Sequence, residues 1–185
     1  MTMATVETFS CETERLHLRP LLAGDEALFQ ELYTDSQTMR HIGSPLSAEQ
    51  ATSTFHMILA GMRQQPFRCL YLAVLDKVSM RPLGICGVRQ FRADAIRQEV
   101  GLVLTKSARS RGIAREGLSA LVDRIFALSP VDEVWAQFSG ENLAAQQLVV
   151  AVGFHACDEE VSRQGISSKR RWSVDRSSWR GGEPN

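Results

Sequence analysis

The chain has 185 residues, and its 21 basic and 21 acidic side chains give a formal net charge of zero at pH 7. This balance excludes a global positive field for nucleic acid or an anionic membrane, and no run of 18 apolar residues is present to span a bilayer. The length predicts one domain that buries about two thirds of the surface of its unfolded chain.

The cysteines and histidines favour a cytoplasmic protein without a bound metal. The four cysteines form no C-x-x-C pair, and the N-terminal residues lack a basic segment followed by an apolar run. We therefore expect reduced thiols and a cytoplasmic location. The four histidines share no metal-ligand spacing, so no metal site is predicted.

The first third of the chain predicts one strand followed by two helices. Residues 15–20 (RLHLRP) alternate apolar and polar side chains and stop at a proline, as a half-buried strand does. Asp25 is placed to cap a short helix through EALFQELY. Ser47 and Gln50 form a capping box before a second helix through ATSTFHMILAGM.

The middle of the chain has the residue patterns of β-strands. Three strand-like runs, separated by turn-rich or polar segments, predict an antiparallel meander over 69–75, 83–91 and 99–104. After residue 111 the apolar residues recur at helical spacing, and this helix is expected to end at Ser129-Pro130.

The last third predicts a strand, a helix and a final pair of strands. DEVWAQF is the strand, NLAAQQLVVAVGF is a helix closed by Gly153, and the final strands lie near 154–161 and 169–174. The order of elements predicts an α/β fold with a mixed sheet and helices on both of its faces. We assign one domain to residues 13–176 and flexible tails to 1–12 and 177–185.

The stretch ARSRGIAREGL (108–118) is the main candidate for a binding loop. A helix N-terminus offers unpaired N–H groups and a positive dipole end, and a glycine there lets an anion approach the backbone closely. No Gly-Lys-Ser/Thr follows, as a Walker loop requires, and the spacing is not the G-x-G-x-x-G of a dinucleotide fold.

The spacing Arg109-x-x-Gly112-x-Ala114 resembles the Q/R-x-x-G-x-G/A signature of the GCN5-related N-acetyltransferase (GNAT) family. Alone the pattern is expected by chance in a sizeable fraction of chains. The resemblance extends to QEVGLVLTKSARSRGIAREGLSALVDRIF and VWAQFSGENLAAQQLVVAVGF, and it is strongest over 98–154. The opening TERLHLRPLLAGD is similar to the RimJ/RimL-type subgroup, which acetylates ribosomal-protein N-termini.

The resemblance implies a central, mostly antiparallel sheet of six or seven strands that splays between its fourth and fifth strands. Acetyl-CoA lies in this gap in the family, and its acetyl group passes directly to a primary amine of a protein N-terminus or a small molecule. In this chain VGLVL would be the fourth strand, with the backbone of Leu102, Val103 and Leu104 beside the pantetheine arm. The N–H of Val103 or Leu104 would polarise the thioester carbonyl.

The resemblance also assigns the remaining cofactor contacts. The pyrophosphate would be bound by side-chain charge or backbone N–H groups of Arg109, Arg111, Gly112, Ile113, Ala114 and Arg115. Asn142 would cap the next helix and, together with Ala145, lie beside the cofactor arm.

The reaction needs a base and a proton donor. Glu99 begins the fourth strand, where several family members have a catalytic glutamate, and it would take the amine proton directly or through a water. A strand-end charge paired with an arginine is the competing interpretation. Ala145 occupies the position where many relatives have the Ser or Tyr that protonates the thiolate. This donor therefore stays open between water and Ser139, since Tyr33 and Tyr71 lie outside the usual stretch.

Three functions stay open at this point. The first is an N-acetyltransferase, whose acceptor would be bound by residues 35–68 and the last strand pair. The second is a non-catalytic acyl-CoA sensor of the same fold, and the third is an unrelated nucleotide-binding protein. We expect no nucleic-acid or membrane partner, and a homodimer is compatible with the family. The acceptor amine and the acyl length are not readable from the sequence.

Overall fold

A computed structural model describes residues 5–92, 95–157 and 169–181. The helices in these ranges are α1 (Glu26–Thr34), α2 (Ser36–Met39), α3 (Ala48–Met62), α4 (Ile113–Leu128) and α5 (Leu143–Val152). The strands are β1 (Cys11–Glu12), β2 (Leu16–Pro20), β3 (Leu70–Asp76), β4 (Pro82–Val88), β5 (Arg97–Glu99), β6 (Gly101–Leu104), β7 (Glu133–Ser139), β8 (His155–Ala156) and β9 (Lys169–Asp175).

The strands form two sheets that meet at residue 100. The first sheet has the order β1-β2-β3-β4-β6 and is antiparallel throughout. The second has the order β5-β7-β9-β8, in which β5 and β7 are parallel and the other pairs are antiparallel. The predicted mixed, mostly antiparallel sheet is confirmed, and its splay lies between β6 and β7, the predicted fourth and fifth strands.

Helices cover the two faces of the first sheet because β3 and β4 are apolar on both faces. Leu72 and Ala73, which point to opposite faces, are both completely buried, as an inner strand between two helical layers requires. Gly117 brings α4 close to the sheet, since a Cβ atom there would lie 3.7 Å from Leu16 and 3.8 Å from Val74. On the opposite face α1 packs against β4.

The capping predictions had mixed outcomes. The capping box before α3 is confirmed, with Gln50 N–H donating to Ser47 Oγ at 3.2 Å and Ser47 N–H donating to Gln50 Oε1 at 2.9 Å. Asp25 occupies the N-cap position of α1, but its carboxylate does not cap that helix. It accepts instead from Arg19 at 2.7 and 2.9 Å and from Leu22 N–H at 2.8 Å. The buried carboxylate therefore stabilises the end of β2.

Several element boundaries also differ from the prediction. Three helices, rather than two, follow β2 because Asp35 caps the short α2 through Thr38 N–H. The predicted strand 83–91 ends at Val88, and the run 99–104 is divided between two sheets. Of the predicted final strand 154–161, the structure describes β8, and residues 158–161 lie outside the described ranges.

The two predicted tails include packed segments. Phe9 is fully buried, and its ring meets those of Phe67 and Phe91 edge-on at 5.9 and 5.6 Å. At the other end, Trp179 donates from its indole N–H to Asp123 on α4 at 2.6 Å. The predicted boundaries at 13 and 176 therefore leave out segments that belong to the folded domain. None of the helices in the described ranges is long and apolar enough to cross a bilayer.

Candidate active site

A cleft opens where one extended run of the chain changes its pairing partner. Residues 97–99 pair in parallel with β7, and Val100 N–H still donates to Trp135 C=O at 2.8 Å. From residue 101 onward the run pairs with β4 in the other sheet. β6 and β7 consequently diverge beyond Val100, and the space between them is a cleft of about 370 Å³.

The register of β6 decides which of its backbone groups face this cleft. Thr105 N–H donates to Leu83 C=O at 2.8 Å, and antiparallel ladders alternate bonded and non-bonded pairs. Gly101 and Val103 are therefore bonded to β4, whereas the N–H and C=O groups of Leu102 and Leu104 point to the open edge. Of the two predicted thioester donors, the alternation disfavours Val103 and leaves Leu104.

The cleft wall brings together several of the predicted residues. Glu99, Leu102, Val103, Asn142 and Ala145 line it. They come from β5, β6 and the first turn of α5, which are adjacent because β7 leads directly into α5. The other predicted site residues are outside the wall of this cleft, namely Leu104, Arg109, Arg111, Gly112, Ile113, Ala114, Arg115 and Ser139.

The first turn of α5 has the predicted cap. Asn142 Oδ1 accepts from Ala145 N–H at 3.0 Å, so the side chain of Asn142 is fixed at the cleft edge. Ser139 was a tentative proton donor, but its hydroxyl accepts from Glu141 N–H in the turn before α5. This contact leaves the hydroxyl proton free to be donated, but Ser139 is not among the residues that line the cleft.

The predicted loop forms the N-terminus of a sixteen-residue helix. Gly112 is the N-cap of α4 and has φ +75°, a left-handed conformation that favours glycine. Ser110 also has a positive φ of 59°. The loop turns sharply here, and the first-turn N–H groups of α4 are presented at its end. Arg111 and Arg115 are exposed beside them.

Arg109 makes contacts that the sequence did not indicate. Its guanidinium donates to Leu104 C=O at 3.1 Å and to Thr38 Oγ1 at 2.8 Å. These contacts connect the end of β6 to α2, and a pyrophosphate would have to share the guanidinium with them. The side chain of Arg111 is exposed.

A second cation joins the same loop to α2. Lys106 Nζ donates to Asp35 Oδ1 at 3.0 Å, and Thr38 Oγ1 donates to Asp35 Oδ2 at 2.6 Å. Hydrogen bonds from Thr38 and then from Lys106 lower the pKa of Asp35 to about 2. The carboxylate therefore stays ionised, and the α2 segment and the α4 loop are held as one unit.

Arg15 anchors the α4 loop, a role that no sequence motif indicated. Its side chain donates to Glu116 at 2.7 Å and to Arg111 C=O at 2.9 Å, and its backbone N–H donates to Glu116 at 2.9 Å. Burial opposes ionisation of Glu116, but hydrogen bonds from Thr13 and Arg15 outweigh it and lower its pKa. Because Arg15 and Glu116 are 101 residues apart, only the tertiary structure joins them.

This anchor predicts a pH-dependent stability. Because the pKa of Glu116 is lowered in the folded state, its contribution is complete above the ordinary glutamate pKa of about 4.3 and is lost as pH falls through the folded value. We expect Glu116→Gln to reduce the thermal midpoint at pH 7. The difference in thermal midpoint between the wild type and Glu116→Gln should decrease below about pH 4. A constant gap from pH 7 to pH 3 in thermal denaturation would contradict this assignment.

Two tyrosines line the end of the cleft where Glu99 lies, which we call the narrow end. The sequence analysis had assigned a role to neither of them. Tyr33 comes from α1 and Tyr71 from β3, and Arg89 and Glu99 lie beside them. Burial raises the pKa of both phenols, so both stay protonated at neutral pH. The positive charge of Arg89 opposes this rise in the pKa of Tyr71. Neither residue lies in a motif, since α1 and β3 approach the cleft only after the sheet has formed.

Two glycines form the floor at this end. Tyr71, Gly87 and Gly101 are paired across three adjacent strands and so share one face of the sheet. A Cβ atom at Gly87 would lie 2.1 Å from Leu70 C=O, which explains the glycine there. A Cβ atom at Gly101 would meet no protein atom within 4 Å, so it would extend into the open cleft.

Within the described ranges, no group of three or more His, Cys, Asp or Glu side chains is arranged to hold a metal ion.

Comparison with known proteins agrees with the fold. A family model described as Acetyltransferase (GNAT) domain matches residues 15–155. An acetyltransferase from Agrobacterium tumefaciens str. C58 is 20% identical, with a TM-score of 0.75, and the match covers 90% of this chain and 94% of that chain.

Two further solved structures are of acetyltransferases whose names include the acceptor. Spermidine N-acetyltransferase from Vibrio cholerae, in complex with CoA and spermine, is 17% identical, with a TM-score of 0.75 and coverage of 90% and 98%. Ribosomal-protein-S5-alanine acetyltransferase from Vibrio fischeri is 16% identical, with a TM-score of 0.70 and coverage of 95% and 99%. At these identities the likeness concerns the fold.

Proposed function

Because the chain belongs to the acetyltransferase (GNAT) family, we propose that it transfers an acetyl group from acetyl-CoA to a primary amine. The observation that carries the proposal is the cleft beyond Val100, where the open edge of β6 faces the space between the two sheets. An extended amide-containing arm is suited to such an edge, because it can take the place of a missing strand.

The cofactor would be held by backbone groups along two elements. Leu102 and Leu104 offer N–H and C=O groups to the pantetheine amides, although Arg109 already donates to Leu104 C=O. The pyrophosphate would be bound at the N-terminus of α4 by the N–H groups of residues 112–115, with Arg111 supplying charge. Arg15 keeps this loop in place through Arg111 C=O.

The chemistry would take place at the narrow end. The amine nitrogen attacks the thioester carbonyl carbon, the C–S bond breaks, and the nitrogen loses a proton to Glu99 directly or through a water. Leu102 N–H, which lines the cleft from the open edge of β6, is the proposed donor to the carbonyl oxygen as it gains negative charge, because Leu104 lies outside the cleft wall.

Tyr71 is the proposed donor to the departing thiolate. Its phenol is protonated at neutral pH, and the adjacent Arg89 guanidinium would stabilise negative charge on the phenolate oxygen. With Tyr71 as the proton donor, the reaction needs neither Ser139 nor a Ser or Tyr at position 145. Ala145 in the first turn of α5 is therefore compatible with turnover. This assignment also weakens the alternative of a non-catalytic acyl-CoA sensor, which the missing acid had favoured.

Gly101→Val tests the cleft as the place of reaction. The added side chain would meet no protein atom at its Cβ position, and valine suits a strand, so the fold should be retained. We expect kcat/KM for the amine to fall at least tenfold, with Gly101→Ala less affected. The measurement is amine-dependent release of CoA thiol, together with circular dichroism of each variant.

The proposal would be withdrawn if acetyl-CoA failed to bind in calorimetry, or if wild-type protein released no thiol with any amine or peptide. Tighter binding of ATP or NAD would instead favour a nucleotide-binding protein. If steady-state turnover were unchanged in Gly101→Val, the reaction would have to take place outside the cleft. Membership of the RimJ/RimL-type subgroup and a cytoplasmic location are parts of the same proposal.

A further inference from the structure

The charges around the narrow end of the cleft carry information about the acceptor. Among the described residues that line the cleft, Glu99 is the one carboxylate, and the cationic Arg89 lines the same cleft. A site for a polyamine would need several carboxylates to balance the charges of its substrate. The described wall offers a single carboxylate with an arginine near it.

Arg89 is held in a position to bind an anion beside the reacting amine. It follows β4 directly and lines the cleft together with Tyr71 and Glu99. Residues 85, 87 and 89 alternate onto the face that Tyr71 occupies, and Glu99 and Gly101 lie on the adjacent strand run. The guanidinium has five N–H donors, and a planar carboxylate can accept two of them at once.

The floor between Arg89 and Glu99 is made of backbone. Gly87 and Gly101 have no side chains to occupy this space, and the ring of Tyr71 borders it. A compact acceptor could therefore place its nitrogen near Glu99 and a second polar group near Arg89. These two groups of the acceptor would be separated by only a few bonds.

We propose that the acceptor is a small amine that carries a carboxylate within a few bonds of its nitrogen, as an amino acid does, and that Arg89 binds this carboxylate. The inference rests on the proposed acetyl transfer and assigns its substrate class. Glu99 takes the proton from the nitrogen, whereas Arg89 fixes the acceptor by its other end. Arg89 is thus a specificity-determining residue.

The test compares amino acids with their carboxamides, which have the same length and the same reacting nitrogen. Alanine, β-alanine and the other common amino acids are assayed against their amides at equal concentrations of the unprotonated amine. We expect kcat/KM for the best acid to exceed that of its amide at least tenfold. Arg89→Gln should remove most of this preference by raising KM for the acid about 10- to 100-fold.

Two variants separate carboxylate binding from a structural role of Arg89. In Arg89→Gln the KM for the amides should change less than about threefold, which a collapsed cleft would not allow. Arg89→Lys should restore part of the preference, because it keeps the charge without the planar donor fork. Arg63→Gln removes an exposed charge at the end of α3, outside the cleft, and should behave as wild type.

Equal use of acids and amides by the wild type would overturn the inference. So would a stronger preference for spermidine, for an N-terminal peptide amide or for an aminoalkyl phosphate. In each of these results acetyl transfer itself survives, because thiol is released with another acceptor. A loss of acetyl-CoA binding or of all turnover would overturn both proposals.

Discussion

Replacing Glu99 with glutamine is expected to reduce the turnover number about 10²- to 10³-fold, within the range that a positioned general base contributes. The amide side chain has nearly the same shape but cannot accept the amine proton. Acetyl-CoA affinity should change less than about twofold, since Glu99 lies at the acceptor end of the cleft. Single-turnover kinetics and calorimetry on the same preparations measure the two quantities separately.

The pH profile gives this prediction a second readout. Without a base, reaction depends on amine that is already unprotonated in solution, so the activity of Glu99→Gln should keep rising with pH where the wild type has levelled off. Glu31→Gln, which removes an exposed carboxylate of α1, serves as the control. A Glu99→Gln enzyme with wild-type turnover would leave Glu99 as a strand-end charge beside Arg89.

Gly112→Asp is expected to weaken acetyl-CoA binding about 100-fold, which corresponds to about 2.7 kcal/mol. The new carboxylate would stand at the N-terminus of α4, where it repels the pyrophosphate and competes for the same N–H groups. Aspartate is a good N-cap residue and tolerates left-handed backbone better than most side chains, so the protein should fold.

Two controls separate charge from backbone strain in this prediction. Gly112→Ala introduces the strain without the charge, and its Cβ atom would approach Arg15 Nη2 to 3.2 Å, so a smaller loss of affinity is expected. Gly153→Ala places the same kind of strain at the end of α5, where Gly153 has φ +104°. Calorimetric titration of acetyl-CoA should leave Gly153→Ala close to wild type. Equal affinities of Gly112→Asp and wild type would remove the α4 loop from the pyrophosphate site.

The contacts of the α4 loop connect the proposed cofactor site to the acceptor end of the cleft. Arg109 and Lys106 connect the loop to α2, the segment that leads to His41 and Ile42 on the cleft wall. Arg15 holds the other side of the loop. A change at the cofactor loop can thus alter the geometry of the acceptor end through direct contacts.

The order of the elements and the candidate loop were readable from the sequence because both depend on local patterns. Alternating apolar residues specified β2, a continuous apolar run specified β3, and helical spacing specified α4. Gly112 and Gly153 marked the ends of helices. Ser47 and Gln50 specified the start of α3 through side chains only three positions apart. Glu99 and Asn142 were found because they stand next to such patterns.

The remaining parts of the site were decided by tertiary structure. The change of partner at Val100 depends on two sheets that compete for one extended run, and this competition also directs Leu102 and Leu104, rather than Val103, toward the cleft. Arg109 was assigned to the pyrophosphate from its place in the Q/R-x-x-G-x-G/A spacing, and this spacing cannot show that its guanidinium also reaches Thr38.

By itself, therefore, the sequence determined the kind of fold and the position of the helix terminus that we propose as the pyrophosphate site. Each of these follows from interactions between residues a few positions apart. Glu99, predicted to begin the strand 99–104, is instead the last residue of β5. Only the tertiary structure placed Tyr33, Tyr71 and Arg89 around Glu99 and joined Arg15 to Glu116. These contacts join residues distant in the chain, and they exist only when packing of apolar faces has brought helix α1 and the two sheets together.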